Sequence, residues 1–402
     1  MAEVPFTLAI QDADLELLRK KLDLVRLPDE LVDAKWNYGV PLEDVKRLLA
    51  RWKDGFDWRA AEASINVLPQ FTRNIEVDGF GTLSIHYVHQ KSQLDAAIPV
   101  LFVHGWPGHF MEVSKLLPLL TTTTTDRPSF HVVAFSLPGF GFSEAPQKKG
   151  FSINQYAEVG HKLMIALGYK EYVTQGGDWG FHITRRMAQL YGGVHLKAWH
   201  TNYPRAEKPA LTTSPGLYIK GLVTPYSKRE RQGFDRTAWF YKNGRGYYTE
   251  QSTNPQTLGY SLADSPSGLL AWIYEKLVLW TDGYPWSDDE VLTWVCIYWF
   301  SRAGPAASTR IYYEFNAASE STKYRWTAIP FGASFFPKEL VCVPTYWARS
   351  IGNLVCESVH ESGGHFAAHE KPEALVDDLR KMFGIGGPAF GVVPGKSGYA
   401  PP

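Results

Sequence analysis

Two stretches of the chain restrict its fold more than any others. Ile98-Pro-Val-Leu-Phe-Val103 and Phe130-His-Val-Val-Ala-Phe-Ser136 are short, nearly continuous apolar runs. A strand with one face in water alternates apolar and polar residues. A run without that alternation suits a strand covered on both faces, as in a parallel sheet flanked by helices. A helix-like stretch with Leu116, Leu117, Leu119 and Leu120 separates the two runs. Further on, Glu171-Tyr-Val-Thr-Gln175 reads as a short strand between helical patterns over 156–167 and 181–191. This β-α-β-α succession predicts a doubly wound, mostly parallel α/β sheet.

The flanking regions read differently. Asp12 is placed to cap a helix whose Leu15, Leu18, Leu22 and Val25 share one face and which Pro28 ends. Pro41 suits the first turn of a second amphipathic helix carrying Leu42, Val45, Leu48, Leu49 and Trp52. Each has one apolar face, so both are expected to lie against another domain. Ile75 and Val77, then Leu83, Ile85 and Tyr87, alternate with polar residues around Asp78-Gly79, which predicts a hairpin. From about Tyr203 to Asn316 the strand signals vanish, leaving turn-rich stretches and one strong helix over 269–280. Strand-like runs return over 328–334 and 353–359, before a last amphipathic helix over 377–383. The expected organisation is an N-terminal segment (1–95), a first core part (96–203), a helical lid (204–316) and a second core part (317–402). A cavity where the lid meets the sheet is the natural ligand site.

Composition excludes several classes of function. The 402 residues carry 41 basic and 41 acidic side chains, so net charge supplies no case for nucleic acid or an anionic membrane as partner. Charged residues from Asp12 to Lys21 interrupt the leucines of the opening stretch, unlike a signal peptide or a membrane span. The expectation is a soluble, cytoplasmic enzyme. Cys296, Cys342 and Cys356 lack CxxC spacing, which argues against a disulfide framework or a zinc site. The 14 Trp, 21 Tyr and 22 Phe suit an apolar cavity and a large core equally well.

Three motifs carry chemistry. Gly176-Gly-Asp-Trp-Gly180 follows a strand and precedes a helix, with small residues where a sharp nucleophile elbow needs them. At its tip Asp178 would be held as an anion by the helix N-terminus, although a plain capping aspartate would look the same. His104-Gly-Trp-Pro-Gly108 follows the 98–103 strand. A loop there can aim the Trp106 N–H, with that of Trp179, at a developing oxyanion. Gly363-Gly-His-Phe366 follows the last strand, and its glycines would let His365 reach over the sheet edge, ahead of its competitors His360 and His369. Nucleophile, acid, histidine is the chain order of an α/β-hydrolase triad. The acid would come from Glu320, Glu339, Glu357 or Glu361; Glu339, just after the 328–334 strand, stands at the right end of the sheet to orient the histidine.

Together these residues resemble the epoxide hydrolases of the α/β-hydrolase fold, in the branch of the microsomal and soluble fungal enzymes. The likeness extends over nearly the whole chain: Trp36, Tyr38-Gly39, Trp52, Phe56-Asp-Trp-Arg59 and Ile85-His-Tyr-Val-His89 in the N-terminal part, the 104–108, 139–146 and 176–180 motifs, then Phe336-Pro-Lys-Glu-Leu340 and Gly363-Gly-His-Phe-Ala-Ala368. The resemblance implies conversion of a small-molecule epoxide to a vicinal diol through an alkyl ester on Asp178, without metal or organic cofactor. It implies two lid tyrosines that hold the epoxide oxygen. Tyr247 and Tyr312 match them, with Tyr248 and Tyr313 as neighbours. The membrane anchor of the microsomal relatives is not seen here, and the glutamate acid replaces an aspartate of some relatives. Fungal relatives imply a homodimer, and the family implies enantioselective detoxification. The rivals are a haloalkane dehalogenase, which shares the aspartate nucleophile, and a non-catalytic relative that only binds a ligand.

Overall fold

The buried apolar runs lie at the centre of one large sheet. The computed structural model describes residues 3–318 and 325–400; Glu320 lies outside them. Nine strands are present among the described residues: β1 Val4–Pro5, β2 Gln70–Val77, β3 Gly81–Gln90, β4 Ile98–Val103, β5 Phe130–Phe135, β6 Tyr172–Gly176, β7 Leu196–Thr201, β8 Thr327–Phe335 and β9 Gly352–Val359. They form a single sheet in the order β1-β2-β3-β5-β4-β6-β7-β8-β9. β1, β2, β3 and β5 pair antiparallel; every pair from β5 to β9 is parallel. Every residue of β4, β5 and β6 is buried, as the nearly continuous apolar runs of β4 and β5 predict. From β4 the chain moves one way to β5 and the other way to β6. That reversal opens a crevice at the carboxyl ends of β4 and β6, where ligands bind in open α/β sheets.

β7 carries no apolar run of the kind that marks its neighbours. Lys197, His200 and Thr201 break up its pattern, yet its inner residues are buried. Neighbouring strands take up part of its polar character: the Thr201 hydroxyl donates to the Gly176 carbonyl at 2.6 Å, and His200 Nε2 lies 3.2 Å from the Ser334 hydroxyl. Trp199 stacks on Phe331 of β8 at 4.0 Å.

The expected lid is also richer in helix than its sequence suggests. Helices Pro215–Val223, Lys228–Trp239, Gly246–Thr253, Pro255–Asp264, Pro266–Leu279, Asp288–Trp299 and Arg310–Ala317 follow one another. Asp288–Trp299 buries most of its circumference and so lacks a one-sided stripe. Its start is marked instead by a capping box of Ser287 and Glu290, and that of Lys228–Trp239 by Ser227 and Glu230.

The two N-terminal helices do lie on other elements, against Pro266–Leu279 and Asp288–Trp299, with Arg51 paired to Asp289 at 2.8 Å. Two details differ from expectation. Asp12 is the first residue of Asp12–Asp23, not its cap, and it pairs with Arg59. That helix stops five residues before Pro28, and Pro41 occupies the cap position before Leu42–Asp54. Among the described residues, no helix is long and apolar enough to cross a membrane.

Candidate active site

Asp178 occupies the turn between β6 and the helix Trp179–Tyr191, with φ at 49°. A left-handed conformation is costly for a residue with a Cβ and persists only where the surroundings impose it. Here the crowding is visible: a Cβ on Gly180 would fall 1.9 Å from the Val103 carbonyl oxygen, and one on Gly105 would fall 2.4 Å from the Cβ of Asp178. The side chain does not cap its own helix. Its Oδ1 instead accepts the Trp106 N–H at 2.8 Å, and its Oδ2 lies 3.5 Å from His365 Nε2. Burial works against the charge of Asp178. Hydrogen bonding and charge from His365, with the N–H groups of Trp106 and Trp179, more than offset it and hold the carboxyl below its usual range.

The loop that supplies the Trp106 N–H is tied down on both sides. His104 is buried; its Nδ1 donates to the Gly105 carbonyl at 2.9 Å and its Nε2 accepts the Leu137 N–H at 3.2 Å. Burial pushes its pKa down to about 4, so it acts as a neutral brace. From the lid, the Trp294 indole N–H donates to the Pro107 carbonyl and the Tyr298 hydroxyl to the Gly108 carbonyl, each at 2.6 Å. Behind the loop, burial raises Glu112 to about 8. Nothing in the local sequence singles out Trp294, Tyr298 or Glu112 for these positions; the two lid contacts join residues 187 and 190 positions apart.

His365 reaches the other side of Asp178. Gly363 adopts φ 112°, and a Cβ on Gly364 would fall 2.4 Å from the Trp280 carbonyl oxygen. His365 Nδ1 lies 2.5 Å from Glu339 Oε1, which also accepts the Leu340 N–H at 2.6 Å. Trp280 holds the histidine from the lid: its carbonyl accepts the His365 N–H at 2.8 Å and its ring meets the imidazole edge-on at 5.1 Å. Burial opposes charging of this imidazole, but the flanking Glu339 and Asp178 outweigh it and raise the pKa to about 10. The competitors are engaged elsewhere. His360 Nε2 pairs with Asp378 at 2.7 Å, and His369 lies 3.4 Å from Glu290. Of the other glutamates, Glu357 faces Arg349 at 3.5 Å and Glu361 is exposed.

Two phenols close the site from above. Tyr247 and Tyr312 are buried, with ring centroids 5.8 Å apart and nearly perpendicular. Tyr247 stacks on the Trp106 ring at 5.3 Å, and Tyr312 meets the Trp179 ring edge-on at 4.7 Å. Burial, reinforced by the neighbouring Asp178 charge, keeps both phenols well above their usual pKa, so they remain neutral donors. The Tyr312 hydroxyl has no hydrogen-bond partner of normal geometry among the described residues. Tyr248 also borders the cavity, but its hydroxyl donates to Asn316 at 2.9 Å; Tyr313 is exposed. A short stretch of π-type helix, Phe240–Gly244, precedes the helix that presents Tyr247.

Comparison with known proteins bears on this arrangement. Residues 3–113 match the family model for the epoxide hydrolase N terminus, and residues 98–209 that for the alpha/beta hydrolase fold. A putative epoxide hydrolase of Stigmatella aurantiaca is 39% identical, over 94% of this chain and 84% of its own length. The chain belongs to the epoxide hydrolase family. Epoxide hydrolase 1 of Sus scrofa is 36% identical over 95% of this chain and 88% of its own. The structure of Aspergillus niger epoxide hydrolase superposes with a TM-score of 0.81 at 35% identity, covering 94% of this chain and 95% of that one. The juvenile hormone epoxide hydrolase of Bombyx mori superposes at 0.84 with 27% identity, over 94% and 93%. The protein is thus an α/β-hydrolase-fold epoxide hydrolase; Asp178 and the two tyrosines line one cavity, and His365 faces Asp178 with one ring nitrogen and Glu339 with the other.

Proposed function

We propose that the enzyme forms a vicinal diol in two covalent steps. In the first, Asp178 Oδ2 attacks an epoxide carbon while Tyr247 and Tyr312 donate to the ring oxygen. The C–O bond breaks, the oxygen takes a proton from one phenol, that phenol regains one from His365, and an alkyl ester of Asp178 remains. Neutral phenols are well suited to this role, because they donate strongly to a developing alkoxide and are not themselves ionised near neutral pH. Oδ1, already held by the Trp106 N–H, becomes the ester carbonyl oxygen.

In the second step His365 takes a proton from water, which adds to that carbonyl carbon. The Trp106 and Trp179 N–H groups stabilise the tetrahedral oxyanion. Collapse releases the diol and restores the carboxylate. The observation that carries this reading is the position of His365, 2.5 Å from one carboxylate and 3.5 Å from another. Flanked by both, the imidazole is protonated in the resting enzyme. Esterification removes the charge of Asp178 and with it one of the two groups that raise the pKa of His365. The base is therefore released for use only after the ester exists.

The test is isotopic. In a single turnover in ¹⁸O-water, the new diol oxygen should be unlabelled, because it comes from Asp178. Label in the diol from that first turnover would refute the ester. His365→Gln should let the ester accumulate, as a mass increase of one substrate. Chloroalkanes should release no chloride, since the paired phenols are suited to an epoxide oxygen.

A further inference from the structure

The reaction centre sits in little space of its own. The chamber bounded by Asp178, Tyr203, Tyr247 and Tyr312 holds about 30 Å³, whereas pockets for drug-sized ligands span roughly 300–1,000 Å³. A second cavity of about 300 Å³ lies beside it and has no role in the chemistry above. Two pieces of chain divide them. In the segment after β7, Tyr203 and Arg205 border the reaction centre while Asn202 and Pro204 border the second cavity. In the segment after β8, Glu339 borders the second cavity and Val341 borders both. Among the described lining residues, Val341 alone belongs to both. Its side chain is short and buried.

The second cavity has an apolar wall beside polar groups from Asn202, Glu230, Gln232 and Glu339. Phe335, Phe336, Pro337, Val343 and Val359 line it, and the guanidinium of Arg229 at its edge donates to the Phe335 carbonyl at 2.9 Å. We propose that this cavity is a subsite for an unbranched apolar substituent of the epoxide, and that Val341 is the specificity-determining residue that sets how far the substituent extends. The inference takes from the proposed reaction only the position of the epoxide ring.

The experiment compares kcat/KM for 1,2-epoxydecane with that for 1,2-epoxybutane. Each buried methylene is worth about three- to fourfold, so two or more newly buried give about tenfold. Val341→Gly should raise the decane-to-butane ratio by about tenfold or more over the natural enzyme. Adding Val343→Trp, which places a large ring in the second cavity, should reverse that gain. A ratio that moves less than about twofold in Val341→Gly, or a gain that survives Val343→Trp, would overturn the proposal. Calorimetric binding of 1,2-decanediol and 1,2-butanediol to the same variants should follow the same order. If the natural protein opened neither epoxide, the proposed reaction would fail, and diol binding alone would decide the subsite.

Discussion

At the scale of single residues, the site sets one imidazole between two carboxyl groups, 2.5 Å from Glu339 and 3.5 Å from Asp178. His365 has its pKa raised from 6.5 to about 10 by Glu339 and Asp178, against the effect of burial. A group whose pKa is higher in the folded state stabilises the fold fully below its unfolded value and loses that contribution as pH rises through the folded one. The thermal midpoint of the natural protein should therefore fall more between pH 7 and about 10 than that of His365→Gln, read by calorimetry. Asp178→Asn removes one anion, so the His365 imidazole should titrate at lower pH in that variant, read by NMR. Tyr247→Phe and Tyr312→Phe should each lower kcat/KM by about 10- to 100-fold, and ester formation in a rapid-quench experiment should slow by the same factor. Full activity in the double variant would remove the phenols from the mechanism. Glycine spacing made Asp178 and His365 legible, because a sharp turn needs small neighbours at fixed positions. Trp294 and Tyr298 were not legible, because their contacts are made across the fold.

At the scale of elements, the parallel half of the sheet announced itself through β4 and β5, whose burial on both faces leaves no polar alternation. β7 stayed hidden because the partners of Thr201 and His200 Nε2 lie on neighbouring strands, which a local pattern cannot show. The helix Asp288–Trp299 does more than cover the site, since its Trp294 and Tyr298 hold the carbonyls of Pro107 and Gly108. Ser287→Ala should cost about 1 kcal/mol of stability through loss of the cap. Trp294→Phe keeps an aromatic ring in place and removes the donor. It should lower kcat by about tenfold with little change in KM, because the lost hydrogen bond lies behind the loop and not against the substrate.

At the scale of the whole molecule, the N-terminal part both extends the sheet through β1–β3 and braces the helices over the site. The apolar contacts should dominate that bracing. Trp52 is buried in the main core; Trp52→Ala should cost about 3–5 kcal/mol in urea unfolding. Arg51→Ala, which breaks the half-exposed pair with Asp289, should shift the urea midpoint far less, because solvent screens that pair. Amphipathic periodicity pointed to these helices as appendages, but their partners could not be read, because the lid helices they cover are apolar on several sides.

The grip of Trp280 on His365 has a consequence for product release. A roof that swung away as one rigid piece would pull on the imidazole and leave the next cycle without its base. Exit of the diol with the machinery kept primed must therefore rely on the outer portion of the roof, Pro215–Val223 and Lys228–Trp239, where no residue is buried. Cross-linking that outer portion to the body of the protein should slow turnover, while cross-linking at Trp280 should leave it free to proceed.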